Sequence, residues 1–262
     1  MRFSMITLGG LLLAAATPAM AQDEAPAPEP AIKVTGNVTV TSDYRFRGIS
    51  QTDKDPALQG TLNINHESGF YAGIFASTID DKAPAVLGYG DAEIDLYAGY
   101  TKTFENGVGI DVGLLYYLYP IDEAKGLPTD FFEPYASVIY TVGPVTAKVG
   151  ANYAWGGQSG LFDEDSLYLR GDVTVAVPNT PVSLLGHIGR TDGQLGFLAT
   201  PALLPADYLD WSLGVEVAHK FVKLGVQYVD TDIPGTPIPV LGKFDKLVGA
   251  SPTVLAYMTL SF

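Results

Sequence analysis

Hydrophobic and polar residues alternate with a period of two along most of this chain from about residue 32 onward, and a helical period is nowhere sustained. Alternation puts successive side chains on opposite faces of extended backbone, so each run reads as a strand with one apolar and one polar face. In the first run Val34, Gly36, Val38, Val40, Tyr44 and Phe46 share one face, and Thr35, Asn37, Thr39, Thr41, Asp43, Arg45 and Arg47 the other. Later, Ala92, Ile94, Leu96, Ala98 and Tyr100 oppose Glu93, Asp95, Tyr97, Gly99 and Thr101, and Trp211, Leu213, Val215 and Val217 oppose Asp210, Ser212, Gly214 and Glu216. Twelve strands are predicted, at about 34–49, 57–66, 70–78, 91–103, 107–119, 131–141, 144–155, 165–177, 181–191, 208–219, 221–231 and 252–262.

The connections alternate in length. Long ones fall at roughly 50–56, 79–90, 120–130, 156–164, 192–207 and 232–251. Short ones are Glu67-Ser68-Gly69, Phe104 to Gly107, Val142-Gly143, Pro178 to Pro181 and the Lys220 junction. In an up-and-down meander every second connection lies at the same end, so all short turns gather at one end and all long loops at the other. A soluble sandwich has no reason to sort its loops in this way. Outer-membrane barrels do, with tight periplasmic turns and longer outer loops. The expected fold is therefore an all-β, antiparallel, up-and-down transmembrane barrel of about 12 strands spanning residues 33–262. Its last strand alternates to a terminal aromatic, Phe262.

The N-terminus fits export. Arg2, an apolar stretch from Ile6 to Ala16 and the small-x-small Ala19-Met20-Ala21 read as a signal peptide over residues 1–21. Residues 22–32 are acidic and rich in Pro and Ala, and are expected to form a periplasmic tether. Beyond Ala21 no run is long and apolar enough for a membrane-spanning helix.

The formal charge of −14 becomes one unit more negative when Arg2 is removed. That sign excludes nucleic acid as a partner bound through counterion release. The chain has no cysteine, which excludes disulfide scaffolds, thiolate metal sites and thiol catalysis.

In lipid the apolar phase must face hydrocarbon and the polar phase the lumen. Aromatics at strand ends should then form two girdles. The candidates are Tyr44, Phe46, Tyr116, Trp155, Trp211 and Tyr228 at the outer end, and Phe70, Tyr100, Phe104, Tyr140 and Phe262 at the periplasmic end. The polar phase supplies the expected pore-lining residues: Asp43, Arg45, Arg47, Asp91, Glu93, Asp95, Asp111, Glu133, Lys148, Arg170, Asp172 and Glu216, with Asp210 and Lys223 alongside. Nine carboxylates against five basic groups leave about −4. Buried charges on this scale require either water in the lumen or a salt-bridge network that plugs it. The row Asp43, Arg45, Arg47 would share one strand face at about 6.5–7 Å per two-residue step. It reads either as a charged constriction or as an internal ion-pair network.

The stretch Asp43-Tyr44-Arg45-Phe46-Arg47-Gly48-Ile49-Ser50-Gln51-Thr52 resembles the opening signature of the TorF family of proposed porins. That family is also described as the Gcw conserved family of proteobacterial outer-membrane proteins. Asp210-Trp211, Leu224 to Asp232 and the terminal Phe262 extend the likeness over nearly all of residues 34–262. The resemblance implies a porin-like barrel and carries little information about substrate.

Passive diffusion of small solutes with a weak cation preference is the leading expectation. A plugged structural or adhesive barrel and an outer-membrane lipid hydrolase are the alternatives. A hydrolase needs a His base beside a Ser nucleophile. Of the three histidines, His66 and His219 fall near periplasmic turns, and His187 faces the lumen. No catalytic residue is assigned. Acidic loop clusters, Asp163-Glu164-Asp165, Asp230 with Asp232, and Asp80-Asp81, offer oxygen ligands that suit Ca²⁺ or Mg²⁺ but lack an EF-hand pattern. Solvated loop charge is the expected reading, no metal or cofactor is assigned, and the sequence leaves divalent-cation binding open. The expected partners are outer-membrane lipids, lipopolysaccharide and the barrel-assembly machinery, the last through the strand ending in Phe262. The sequence leaves the oligomeric state open.

Overall fold

The computed structural model describes residues 30–80, 89–120, 129–158, 161, 164–193, 207–238 and 242–262. The first 29 residues, and with them the expected signal peptide and most of the tether, lie outside the described residues. Twelve antiparallel strands form the wall: β1 (Ile32–Thr41), β4 (Ala57–His66), β5 (Phe70–Thr78), β6 (Ala92–Thr103), β7 (Val108–Leu118), β8 (Phe131–Val142), β9 (Val145–Ala154), β10 (Ser166–Ala176), β11 (Val182–Gly193), β12 (Asp207–His219), β13 (Val222–Thr231) and β16 (Thr253–Ser261). Two small hairpins sit in the long connections: β2 (Arg45–Phe46) with β3 (Ile49–Ser50), and β14 (Pro237–Ile238) with β15 (Gly242–Lys243). A single helical turn, α1 (Phe244–Leu247), follows the second hairpin.

Each wall strand pairs with its sequence neighbours in the wall, and β1 closes the ring against β16. Closure runs from Asn37 opposite Ser261 to Thr41 opposite Tyr257. It is extended by a reciprocal backbone pair, Gly36 N to Phe262 O at 3.0 Å and Phe262 N to Gly36 O at 2.9 Å. The Phe262 ring covers Gly36, where a Cβ would come within 2.6 Å of it. Closure leaves no sheet edge unpaired, the condition for backbone to cross lipid in strands.

The two faces differ as the alternation requires. Val34, Leu58, Ile64, Leu184, Leu213 and Val254 are exposed on the outside, whereas Glu93, Asp95, Asp111, Glu133 and Glu216 are almost fully buried within. At the short-turn end Phe70, Phe104, Tyr140 and Phe262 are exposed on the outer surface. At the long-loop end Tyr116 on β7, Phe132 on β8 and Trp155 just past β9 stack in a row. Each short turn contains a residue with positive φ: Gly69, Gly107, Gly143, Asn179 and Lys220. At Gly69, with φ +102°, a Cβ would also strike Thr101 O at 2.3 Å.

Inside the wall, tyrosine rings lie over glycines of adjacent strands. Tyr97 faces Gly73, Tyr71 faces Gly99, Tyr135 faces Gly113 and Tyr257 faces Gly225 in direct register. A Cβ at Gly99 would meet Tyr71 Oη at 2.3 Å and Val112 O at 2.5 Å, while one at Gly60 meets nothing nearer than 3.8 Å. Gly99→Ala is therefore expected to cost about 1–3 kcal/mol by overpacking. Gly60→Ala should be neutral or mildly stabilising. Thermal unfolding in detergent checks the pair, and equal midpoints would contradict the packing described.

Candidate functional site

The interior of the barrel is built from the inward phase of the strands and from one segment that does not belong to the wall. The first strand was expected to run from 34 to 49, but β1 ends at Thr41. The register explains why. Thr41 pairs with Ala57, the first residue of β4, so residues 42–56 have no wall partner on that side. The chain turns inward instead. Asp43, Arg47, Ile49, Ser50, Gln51 and Thr52 are all buried.

This overturns two expectations. Asp43, Arg45 and Arg47 do not form a row along a wall strand, and Tyr44 and Phe46 are not lipid-facing girdle residues. Tyr44 packs on Phe75, with ring centroids 6.1 Å apart, and Phe46 packs edge-on against Tyr117 at 5.8 Å. Both belong to an interior cluster that includes Tyr71, Phe75, Tyr97, Leu115, Phe131 and Ala154.

The hairpin's turn is Arg47-Gly48, with φ +48° and +80°. Positive φ at both central residues is the type I′ arrangement that suits a two-residue hairpin. Glycine is required at the second position, because a Cβ would come within 2.4 Å of Thr231 and 2.9 Å of Asp210. An arginine in the left-handed region costs roughly 1–2 kcal/mol, and its surroundings hold it there. Its guanidinium makes a short ion pair with Glu133, donates to Ser166 Oγ at 3.4 Å, and lies 4.4 Å over the Tyr168 ring. The Tyr208 hydroxyl donates to Arg47 O at 3.1 Å.

Arg45 ties the hairpin's base. Its Nε donates to Asp43 Oδ2 at 2.6 Å, and its Nη1 reaches Gly48 O, Gly249 O and Ser251 O at 2.8–3.2 Å. Asp43 also accepts from Ser50 Oγ at 2.7 Å. On the other flank Ile49 packs with Tyr208, Ile233, Val248 and Ala250.

Below and around the hairpin the expected residues of the polar phase come together in small networks. Lys148 pairs with Asp111 at 3.4 Å, Lys223 with Glu216 at 2.9 Å, and Arg170 with Asp172 at 3.6 Å. Glu93 and Asp95 are buried on β6. Among the described residues neither makes an ion pair. Tyr44 Oη donates to Glu93 Oε1 at 3.1 Å. Burial first, and then the charges of Glu93 and Asp95, push the Tyr44 phenol well above its ordinary range, so it remains a donor. Asp91 is placed differently from its neighbours: it precedes β6 and is exposed.

The interior tyrosines are the residues whose role the sequence reading missed. Tyr71 donates to Asp111 at 2.7 Å, Tyr117 to Glu133 at 3.1 Å, Tyr168 to Asp210 at 3.1 Å and Tyr257 to Glu216 at 2.8 Å. The signal was available in their parity, since each lies an even number of residues from an inward carboxylate or basic group on its own strand or stands opposite an inward position on the next.

His187 lies between two carboxylates, with Nδ1 2.6 Å from Asp172 Oδ1 and Nε2 2.9 Å from Asp210 Oδ1. With both nitrogens so engaged, it has none left to act as a base toward a serine. His66 Nδ1 meets Ser68 Oγ at 2.7 Å and accepts from Ser68 N at 3.2 Å, a local capping of the 67–69 turn. Among the described residues no three His, Cys, Asp or Glu side chains are grouped to hold a metal. Asp230 and Asp232 instead accept from Thr231 N and Leu209 N. Asp81 and Asp163 lie outside the described residues.

A closed twelve-strand antiparallel barrel with an apolar exterior and a charged interior is the architecture of outer-membrane β-barrels. The solved structures agree on the fold. The NanC porin aligns with a TM-score of 0.55 at 10% identity, over 87% of this chain and 98% of its own. The KdgM porin gives 0.55 at 8%, over 87% and 99%. An outer membrane channel from Pseudomonas putida F1 gives 0.50 at 10%, over 91% and 99%. Residues 24–262 match the family Gcw_chp, described as bacterial protein of unknown function, and the chain belongs to that family. No curated protein matches the chain.

Proposed function

We propose that this protein is an outer-membrane porin of the TorF type, a channel for passive diffusion of small polar solutes with a weak preference for cations. The observation that carries the reading is the ring of ionised and hydrogen-bonding side chains facing inward from a closed barrel, a wall chemistry that suits polar solutes and would have no use in a packed apolar core. The porin fold of the structural neighbours supports it, and so does the signature at residues 43–52. Export through a signal peptide at residues 1–21 and insertion with the short turns in the periplasm complete the proposal. The strand ending in Phe262 would engage the assembly machinery.

Planar-bilayer conductance of the purified protein tests it. Discrete channels with a cation-directed reversal potential are expected, because inward carboxylates outnumber basic groups and rings of carboxylates favour cations. The preference should weaken with salt, as the Debye length falls from about 10 Å at 0.1 M to about 3 Å at 1 M. Glu93→Gln with Asp95→Asn should move the reversal potential toward anions. An anion-selective pore, or one indifferent to that double change, would remove the selectivity assignment.

One observation favours a second reading, a closed structural barrel: the inward hairpin packs against both flanks of the interior. Silence of the wild-type protein at all voltages would agree with it.

A further inference from the structure

The hairpin of residues 42–52 crosses the whole barrel. It leaves the wall between β1 and β4, and its tip reaches Glu133 on β8 and Ser166 and Tyr168 on β10, the far side of the ring in the strand order. On the way Tyr44 touches Phe75 and Glu93 on one flank, and Gly48 abuts Asp210 and Thr231 on the other. Among the described residues the segment meets β5, β6, β7, β8, β10, β12 and β13, so it lies across the lumen at that level.

Its attachment is of a different kind from that of the wall. Among the described residues the hairpin makes no strand ladder with a wall strand, and its own ladder is internal, Arg45 to Ser50 and Phe46 to Ile49. It is held by side chains and by isolated backbone bonds such as Ser50 N to Gly249 O at 3.0 Å. A ladder is broken only by unfolding the sheet, whereas these contacts can release together while the barrel stays closed. One of them bears most directly on the tip. The Arg47–Glu133 pair is buried on both sides and holds Arg47 in left-handed backbone.

We propose that this hairpin is the channel's gate and that Arg47–Glu133 is its latch: the barrel is shut with the pair made, and conducts when the pair breaks and the hairpin leaves the lumen. The proposal rests on the porin reading above.

The chain has no cysteine, so a disulfide can test it cleanly. A Cβ built at Gly249 lies 3.4 Å from Ser50 Cβ, close to the 3.5–4.5 Å at which disulfides form, and a cysteine there must adopt the left-handed φ of +72° that Gly249 has. Gly249 belongs to the segment that the Thr231 hydroxyl fastens to the wall through Ala250 O at 3.1 Å. Oxidised Ser50→Cys/Gly249→Cys protein should be silent in planar bilayers and should conduct again after reduction. Glu133→Gln, which keeps the shape and removes the charge, should raise the open fraction about tenfold or more over wild type, the scale of a hydrogen bond to a charged group. A third protein, with residues 43–52 replaced by a Gly-Ser link, should stay open.

The outcomes separate the two proposals. If the Gly-Ser-linked barrel folds and is silent, the porin reading fails. If that barrel conducts, but the oxidised disulfide form conducts like wild type or Glu133→Gln opens no more often than wild type, the channel stands and the gate is overturned.

Discussion

A cysteine at Gly235 will react with a membrane-impermeant maleimide on intact cells, and cysteines at Ser68 and Asn106 will not until the membrane is broken. Gly235 is exposed in the long connection between β13 and β16, whereas Ser68 and Asn106 are exposed in the short turns that follow β4 and β6. The two sets lie at opposite ends of a wall whose outer face is apolar between its two ends, so a bilayer around that band would separate them. The contrast should be nearly all-or-none, and without native cysteines there is no background. Equal labelling of both sets on intact cells, or recovery of the protein with soluble periplasmic contents, would overturn both the orientation and the membrane assignment.

The wall was legible in the sequence because a barrel imposes the same two rules on every strand. One face meets apolar surroundings and the other does not, which writes the period of two. The meander also sorts the turns by end. Eleven of the twelve predicted segments fall within two residues of the observed strands at both ends, as with 57–66 and 70–78, which coincide. The closure of β1 on β16 follows from the topology once the strand number is even.

The interior was legible by phase and not by contact. Alternation put Glu93, Asp95, Asp111, Glu133, Lys148 and Glu216 inside, where they are buried. It could not say which cation meets which carboxylate, because partners such as Lys148 and Asp111 lie two strands apart. The first strand failed for a physical reason. Asp43, Arg45 and Arg47 against Tyr44 and Phe46 continue the alternation of β1 without a break, and a hairpin in extended conformation shows the same period as a wall strand. The contrary signal was local: two arginines in one short run ending in Gly48, followed by Ile49, a large apolar residue in the polar phase, which is fully buried. In a two-residue hairpin that Gly is a turn, and the strand must have ended before it.

The second large effect is expected at the hairpin's base. Asp43 accepts from Arg45 Nε at 2.6 Å and Ser50 Oγ at 2.7 Å, and the Arg45 side chain and Ser50 are buried. Asp43→Ala leaves the Arg45 guanidinium without its carboxylate, a change that costs about 3–5 kcal/mol for buried pairs. Because the hairpin shares no ladder with the wall, that cost should fall on the hairpin alone. Hydrogen exchange reads it directly. The Ser50 and Gln51 amides, bonded to Gly249 O and Tyr44 O, should exchange on the order of 10²–10³ times faster in Asp43→Ala than in wild type. Amides in the β7–β8 ladder should keep their protection, and the thermal midpoint of the barrel should move little. Asp43→Asn, which retains an acceptor for Arg45, should fall between the two. Loss of protection spread evenly over the wall would mean that the hairpin is part of the barrel's cooperative core, and the separation between a rigid wall and a releasable insert would not hold.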